Sequence, residues 1–236
     1  MVVAPGVSVD STSFPGKSGT SASAPLVLGA TLLAAERATT GAYINWPEMM
    51  RASVYAAATN PVDGAITPWI GGGSGDLRRG AGALDASALV ALAGVPNIAP
   101  NGVPVTSGHY ARTYTFASDF GATGRSYDQY FMKPLSSAIT GARLRVAIAF
   151  DATANGCAAT DSSGCSGATL DGDLDLQVVD DTGIIVCAST SYDSSYETCD
   201  FATNGFRTYR ARLIKYGTSQ PFTYVGIAWR AYQGGI

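Results

Sequence analysis

Charged side chains are scarce in this sequence of 236 residues, of which only 14% are Asp, Glu, Lys or Arg. The net charge is -3, and the basic residues are scattered, apart from the adjacent Arg78 and Arg79. Domains that bind nucleic acid instead concentrate basic residues on one face to neutralise phosphates. The sequence therefore argues against a nucleic acid partner. Apolar residues make up 46% of the chain, which is typical of a packed globular protein.

A hydrophobic run long enough to span a bilayer is also lacking. The most apolar stretch covers residues 26–35, but a membrane span needs about 20 apolar residues, and Glu36 and Arg37 end this stretch early. We expect a helix here that is buried on every side, and no membrane span. The N-terminus does not resemble a signal peptide, because no Lys or Arg precedes residue 17. An export signal would belong to a longer precursor.

Cysteine is confined to the C-terminal half, as Cys157, Cys165, Cys187 and Cys199. Neither neighbouring pair has the two-residue spacing of a zinc knuckle or a redox motif. Of the three possible pairings we favour Cys157–Cys165 and Cys187–Cys199, because each closes a Gly-, Ser- or Asp-rich excursion between strand-like runs. Each bond would stabilise the fold by about 2–3 kcal/mol and would indicate a secreted protein. The alternative is four reduced thiols.

Histidine occurs once, as His109, so a histidine-rich metal site is excluded. Asp171, Asp173 and Asp175 alternate, and their carboxylates would share a face if they lay on one strand. Like charges so placed repel one another unless a cation neutralises them, and carboxylate oxygens suit Ca²⁺. The pattern predicts a calcium site, with a solvated acidic rim as the alternative. Three further acidic residues could add oxygens: Asp180, Asp181 and Glu197.

Helical patterns separated by glycine-rich turns occupy residues 1–95. The first helix covers about residues 21–39, and the second opens at Pro47, where the missing N–H costs nothing, and reaches about residue 58. Residues 70–75 are glycine-rich and predict a loop, and a last helix ends near residue 94. Three prolines in residues 96–104 predict a linker.

Residues 105–236 show short strand-like runs separated by turn signals. In the clearest run Leu144, Val146, Ile148 and Phe150 alternate with arginines that point the other way, including Arg145. Further runs cover residues 110–116, 174–179, 184–188, 207–214 and 224–229. Several short strands without helical periodicity predict an antiparallel sandwich.

One N-terminal segment resembles a known enzyme motif. Gly19-Thr20-Ser21-Ala22-Ser23-Ala24-Pro25 is similar to the nucleophile segment of subtilisin-like serine proteases. Residues 3–7, 26–30 and 80–86 match further segments of that family in the expected order, so the resemblance covers about residues 2–94. It implies that Ser21 is the nucleophile, that its backbone N–H contributes to the oxyanion hole, and that Gly19, Thr20 and Pro25 belong to the motif. The alternative role of Ser21 is a helix N-cap in a Ser- and Thr-rich turn.

The C-terminal half resembles the β-sandwich domain that follows the catalytic domain in some larger members of the family. This resemblance rests on residues 144–151, 173–176, 196–197 and 226–229. Together the two resemblances imply an α/β remnant, the C-terminal helical part of a subtilisin-like domain, in residues 1–95. An all-β antiparallel jelly-roll-like sandwich would follow in residues 105–236.

Much of the family's catalytic apparatus has no match in this chain. The family carries its Asp, His and oxyanion Asn upstream of the serine, and only twenty residues precede Ser21. His109 follows the serine instead. The order Ser, Asp, His occurs in α/β-hydrolases, but their G-x-S-x-G elbow needs a glycine where this chain has Ser23. We expect His109 to lie at the surface or at a domain interface.

The sequence thus predicts the C-terminal part of a secreted subtilisin-like serine endopeptidase, which would cleave a polypeptide substrate through an acyl-enzyme on Ser21. A missing N-terminal segment, covalently attached or supplied in trans, would provide the base, and the chain alone would be nearly inactive. A hydrolase of unrelated mechanism that pairs Ser21 with His109 is a further alternative. The competing hypothesis is a non-catalytic β-sandwich module that binds a ligand or has a structural role. Its aromatic residues would form a glycan or peptide platform unless they pack in the core: Tyr192, Tyr196, Tyr209, Tyr224, Trp229 and Tyr232.

Overall fold

The structure is a computed structural model that describes residues 4, 20–38, 41–59, 81–152, 154–155, 169–191, 194–216 and 220–234. Helices occupy the first part of these ranges and strands the second. The helices are α1 Thr20–Arg37, α2 Ala42–Asn45, α3 Pro47–Ala57 and α4 Ala86–Ala93. The strands are β1 Ser107–Thr115, β2 Tyr130–Met132, β3 Ala142–Phe150, β4 Ala154–Asn155, β5 Thr169–Leu170, β6 Leu174–Asp180, β7 Ile185–Ser189, β8 Tyr196–Ala202, β9 Tyr209–Lys215 and β10 Phe222–Gln233.

Two antiparallel sheets of four strands dominate the described part of the chain. The first sheet has the order β1-β10-β3-β8, and the second has the order β2-β9-β6-β7. Strands β4 and β5 pair separately. The prediction of antiparallel strands for the C-terminal half is confirmed, and the two sheets are compatible with a β-sandwich.

Side chains from both sheets pack into one hydrophobic core, the sandwich core. Strand β3 contributes Leu144, Val146, Ile148 and Phe150, as the alternation in the sequence predicts, and β10 contributes the fully buried Trp229. The second sheet contributes apolar residues at alternate positions of its strands, among them Leu174, Leu176, Val178 and Leu213.

A second core, the helix–sheet core, lies on the other face of the first sheet. Helix α3 packs against β3 and β10, and the sheet residues below it are small: Ala147, Ala149 and Ala228. At Gly226 a Cβ atom would overlap the backbone of Glu48 and Met49. The helix therefore lies so close to the sheet that only glycine fits at this position.

Two arginines of the first sheet bind the C-terminal end of α3. Arg230 donates from Nε to the carbonyl of Ala56 (3.0 Å) and from Nη2 to that of Ala57 (2.8 Å). Arg145 donates to the carbonyls of Ala58 and Ala81. The last carbonyls of a helix lack partners within the helix, and the helix dipole favours cations there. The arginines of the sheet thus supply hydrogen-bond donors to the carbonyls at the end of α3. Burial lowers the pKa of both arginines.

The prediction that α1 is buried on every side is wrong for the described structure. The buried residues of α1 are Ala30 and Ala34, on the side that packs against α4. Leu28, Leu32 and Leu33 are 59%, 61% and 54% exposed. Because α4 covers only one side of α1, an apolar surface remains open on the other.

Candidate functional site

Ser21 is the second residue of α1, and its side chain is exposed. The N–H groups of the first turn have no carbonyl partner within their own helix, and the N–H of Ser21 is one of them. The first turn contains no acidic residue that would offset the positive end of the helix dipole. An exposed hydroxyl thus lies where a helix end favours negative charge. Of the predicted motif, Gly19 is outside the described residues and Thr20 begins the helix.

Pro25 lies within α1, four residues after Ser21. Proline has no N–H, so the carbonyl of Ser21 cannot accept the usual bond from the residue four positions ahead. Ser21 therefore has neither its N–H nor its carbonyl engaged by the regular helical pattern. The motif combines an exposed hydroxyl with a backbone that is open to another partner.

His109 is fully buried on β1, between the first sheet and the helices. Its ring meets that of Tyr43 edge to face, with 5.0 Å between the ring centroids. Burial lowers the pKa of His109, and the carbonyl of Leu92 opposes this shift without forming a full hydrogen bond. The sequence predicted that His109 lies either at the surface or at an interface. The surface position is wrong, because the residue is buried between the first sheet and the helices.

His109 does not serve as a base for Ser21 in this structure. Among the described residues, neither ring nitrogen of His109 has a hydrogen-bond partner, so neither accepts the proton of the Ser21 hydroxyl. The imidazole is enclosed, whereas the hydroxyl faces solvent. Because the chain has no second histidine, a histidine base would have to come from outside these 236 residues.

Asp173, Asp175 and Glu197 form a buried acidic group where β6 and β8 meet, whereas Asp171 is half-buried. Only Asp175 lies within β6, whereas Asp171 and Asp173 precede that strand, so the three do not share one strand. Asp173 and Asp175 are buried and act electrostatically on Glu197 of β8, which is also buried. The described residues contain no group of three or more His, Cys, Asp or Glu side chains that could hold a metal ion, and the calcium site stays a prediction.

Burial raises the pKa of Glu197 to about 8, despite two hydrogen bonds that favour its charged form. The carboxyl group accepts these bonds from the hydroxyl of Ser189 and from the backbone N–H of Ser191 (2.9 Å). Burial, with Asp173 nearby, raises the pKa of Asp175 to about 6. At neutral pH Glu197 therefore holds a proton.

Cys187 and Cys199 form a disulfide that joins β7 to β8, and thus one sheet to the other. The described residues include no free cysteine. Cys157 and Cys165 lie outside the described residues, and their pairing stays a prediction. The bond that is seen closes the same sandwich edge as the Ser189–Glu197 pair.

The predicted aromatic platform is wrong for Trp229 and Tyr209, which are buried in the sandwich core. Tyr196 packs against Tyr55, and Tyr232 donates to Asp200. Among the described members of this set, only Tyr224 is exposed, by 41%, while Tyr192 is outside the described residues.

The structure places Trp46 beside Tyr224, a partner that the sequence analysis missed. Trp46 is the N-cap residue of α3, and its side chain forms no capping hydrogen bond. The sequence did contain a sign that Trp46 has another partner, because an N-cap position usually favours Ser, Thr, Asp or Asn and not tryptophan.

No model of a known protein family matches the chain, and no curated protein matches it. The resemblance to subtilisin-like proteases therefore rests on the motif residues themselves. No described helix is both long and apolar enough to cross a membrane.

Proposed function

We propose that this chain is the C-terminal part of a secreted subtilisin-like serine endopeptidase, with Ser21 as its nucleophile. The helices would be the remnant of the catalytic domain, and the two sheets would form its jelly-roll-like accessory domain. The single observation that carries the proposal is the exposed Ser21 hydroxyl at the N-terminal turn of α1. The disulfide between Cys187 and Cys199 is consistent with secretion.

In this reaction Oγ of Ser21 attacks the carbonyl carbon of a peptide bond, and a base takes the hydroxyl proton. The carbonyl oxygen becomes negatively charged, and the N–H of Ser21 donates to it with the support of the helix dipole. The amine departs with the proton from the base, and water then releases the acyl group. The base and a further oxyanion donor come from a polypeptide segment outside the 236 residues.

The exposed leucines of α1 favour this arrangement. Soluble proteins seldom leave a contiguous apolar patch uncovered, and Leu28, Leu32 and Leu33 extend along the same helix as Ser21. Full burial of one leucine side chain contributes about 1.5–3 kcal/mol. A segment that supplies the base can therefore gain much of its binding energy by covering this face of α1.

The first experiment treats the purified chain with a serine-directed fluorophosphonate. We expect almost no labelling, because the Ser21 hydroxyl is a weak nucleophile without an adjacent base. Rapid stoichiometric labelling that disappears in Ser21→Ala would show that the base lies within these 236 residues. Loss of that labelling in His109→Ala as well would make His109 that base.

The second experiment supplies the missing groups. The chain is co-expressed with the N-terminal, Asp- and His-bearing part of a subtilisin-like catalytic domain, and casein hydrolysis and fluorophosphonate labelling are measured. We expect both activities to appear with the wild type and to be lost in Ser21→Ala. If the two parts co-purify but Ser21 is never labelled, the protease proposal is wrong and the non-catalytic module is favoured.

A further inference from the structure

An open pocket of about 500 Å³ lies where α2 and α3 meet the end of the first sheet. It contains no residue of the Ser21 motif and is built from both the helices and the sheet. Its lining consists of Asn45, Trp46, Pro47, Glu48, Asp151 and Tyr224.

The backbone fixes the two sides of this pocket relative to one another. Tyr224 and Gly226 lie on the same face of β10, since successive even positions of a strand point the same way. The backbone of Glu48 rests directly on Gly226, which sets the start of α3 beside Tyr224. Across the sheet, the N–H of Asp151 donates to the carbonyl of Tyr224 (3.0 Å). The backbone positions of Glu48, Asp151 and Tyr224 are therefore fixed relative to one another by the fold.

The aromatic walls of the pocket stand nearly at right angles. The rings of Trp46 and Tyr224 have centroids 5.5 Å apart and an interplanar angle of 73°. Phe222 meets Tyr224 at a similar angle of 76°. The rings of Trp46 and Tyr224 therefore pack edge to face and do not form one flat platform. A cation is attracted by the face of a single aromatic ring, so either ring can contribute to binding a cation in the pocket.

The charge of the pocket points the same way. Within the described part of the chain, Glu48 and Asp151 form no ion pair, and no Lys or Arg lines the pocket. The N-terminal end of α3 contributes roughly half a positive charge. This is too little to neutralise the negative charges of the two carboxylates. A net negative potential therefore remains beside the aromatic rings.

We propose that this pocket binds the basic side chain of a polypeptide, with arginine preferred to lysine. A guanidinium can lie against Trp46 while it donates to the carboxylates of Glu48 and Asp151, because its donors form a planar fork. The amide oxygen of Asn45 is a further acceptor at the rim. This site does not depend on the proposed protease activity, since it includes neither Ser21 nor any residue of its motif.

The test is a titration of the full chain with the capped tripeptide Gly-Arg-Gly, followed by the NMR signals of the Trp46 indole and the neighbouring backbone. The matched ligand is Gly-citrulline-Gly, which has the same shape without the charge. We expect saturable shifts with the arginine peptide alone, and weaker binding as the salt concentration rises. Glu48→Gln and Asp151→Asn should each weaken binding about two- to fivefold, as is typical of partly exposed ion pairs.

Glu36→Gln is the control variant, because it removes the same charge from an exposed position of α1 and should leave the affinity unchanged. Equal binding of the citrulline peptide, or unchanged binding by the Glu48→Gln/Asp151→Asn double variant, would overturn the proposal. Absence of saturable arginine binding would overturn it too. Shifts produced by cellobiose in place of the arginine peptide would assign the pocket to a carbohydrate instead.

Discussion

The two hydrophobic cores differ in the size of their side chains, although β3 and β10 contribute to both. The sandwich core contains Trp229, Phe150, Ile148 and many other large residues. Where α3 lies on β3 and β10, the sheet side of the helix–sheet core consists of alanines and Gly226, and larger side chains come from the flanking strands as His109 and Tyr196. The first core fills space with side chains, whereas the second brings backbones close together.

This difference shows how each layer is held. Large side chains bury much apolar area and stabilise the sandwich directly. Small residues bury less area, so the helical layer also depends on polar contacts such as those of Arg145 and Arg230 with the carbonyls at the end of α3. The two layers should therefore respond differently to pH and to changes in packing.

The largest expected effect is the loss of stability at the sandwich edge as the pH rises from about 4.5 to about 8. The pKa of Glu197 is about 8 in the folded chain and 4.5 in its ordinary state, so the folded state holds a proton that the unfolded state releases. This contribution to stability is full below pH 4.5 and is lost as the pH rises to about 8. The free energy of unfolding should fall by up to about 1.4 kcal/mol per pH unit in this range, measured by urea titration.

Glu197→Gln is the matched variant, because the amide oxygen can still accept from Ser189 and Ser191 without ionising. Its stability should vary less with pH over the same interval, and a residual slope near pH 6 would belong to Asp175. An unchanged slope in this variant would contradict the assignment to Glu197.

Gly226→Val should destabilise the helix–sheet core more than the sandwich core. The new side chain overlaps the backbone of α3, so the helix must move away, at a cost of about 1–3 kcal/mol. Hydrogen exchange should show faster exchange in α3 and α4 with little change in β6 and β9.

Ile227→Val removes one methylene from the sandwich core and should cost about 0.5–1.5 kcal/mol, with its main effect on the sandwich strands. Equal loss of protection in both layers after Gly226→Val would mean that they unfold as one unit.

The smallest expected effect is acid destabilisation of the helix–sheet core through His109. Its folded pKa is below the ordinary 6.5, so the unfolded state binds the proton more readily. Stability is therefore full above pH 6.5 and decreases as the pH falls toward the folded pKa, by at most about 1.4 kcal/mol per pH unit. Helix-specific hydrogen exchange measured against pH should reveal this loss. His109→Phe keeps the ring contact with Tyr43 and should remove the dependence; its persistence would identify another titrating group.

The local patterns of the sequence predicted the strands well, and the contacts between layers poorly. The alternation of Leu144, Val146 and Ile148 predicts one buried face of β3, since a strand has a period of two. It could not show that Arg145, on the opposite face, is also buried, because the helices that cover it are remote in sequence. The helix start at Pro47 was predicted from local chemistry. The pairing of Trp46 with Tyr224 depends on how α3 lies on β10, which no local pattern specifies.

The arginine cap on α3 also has a consequence for the order of folding. Arg230 and Ala57 are 173 positions apart, and Arg230 belongs to β10, the last described strand. During synthesis the α3 segment leaves the ribosome long before the residue that caps it. We expect the helical layer to stay undocked in the nascent chain until β10 inserts between β1 and β3, so that a ribosome stalled before residue 222 would present a protease-sensitive helical segment.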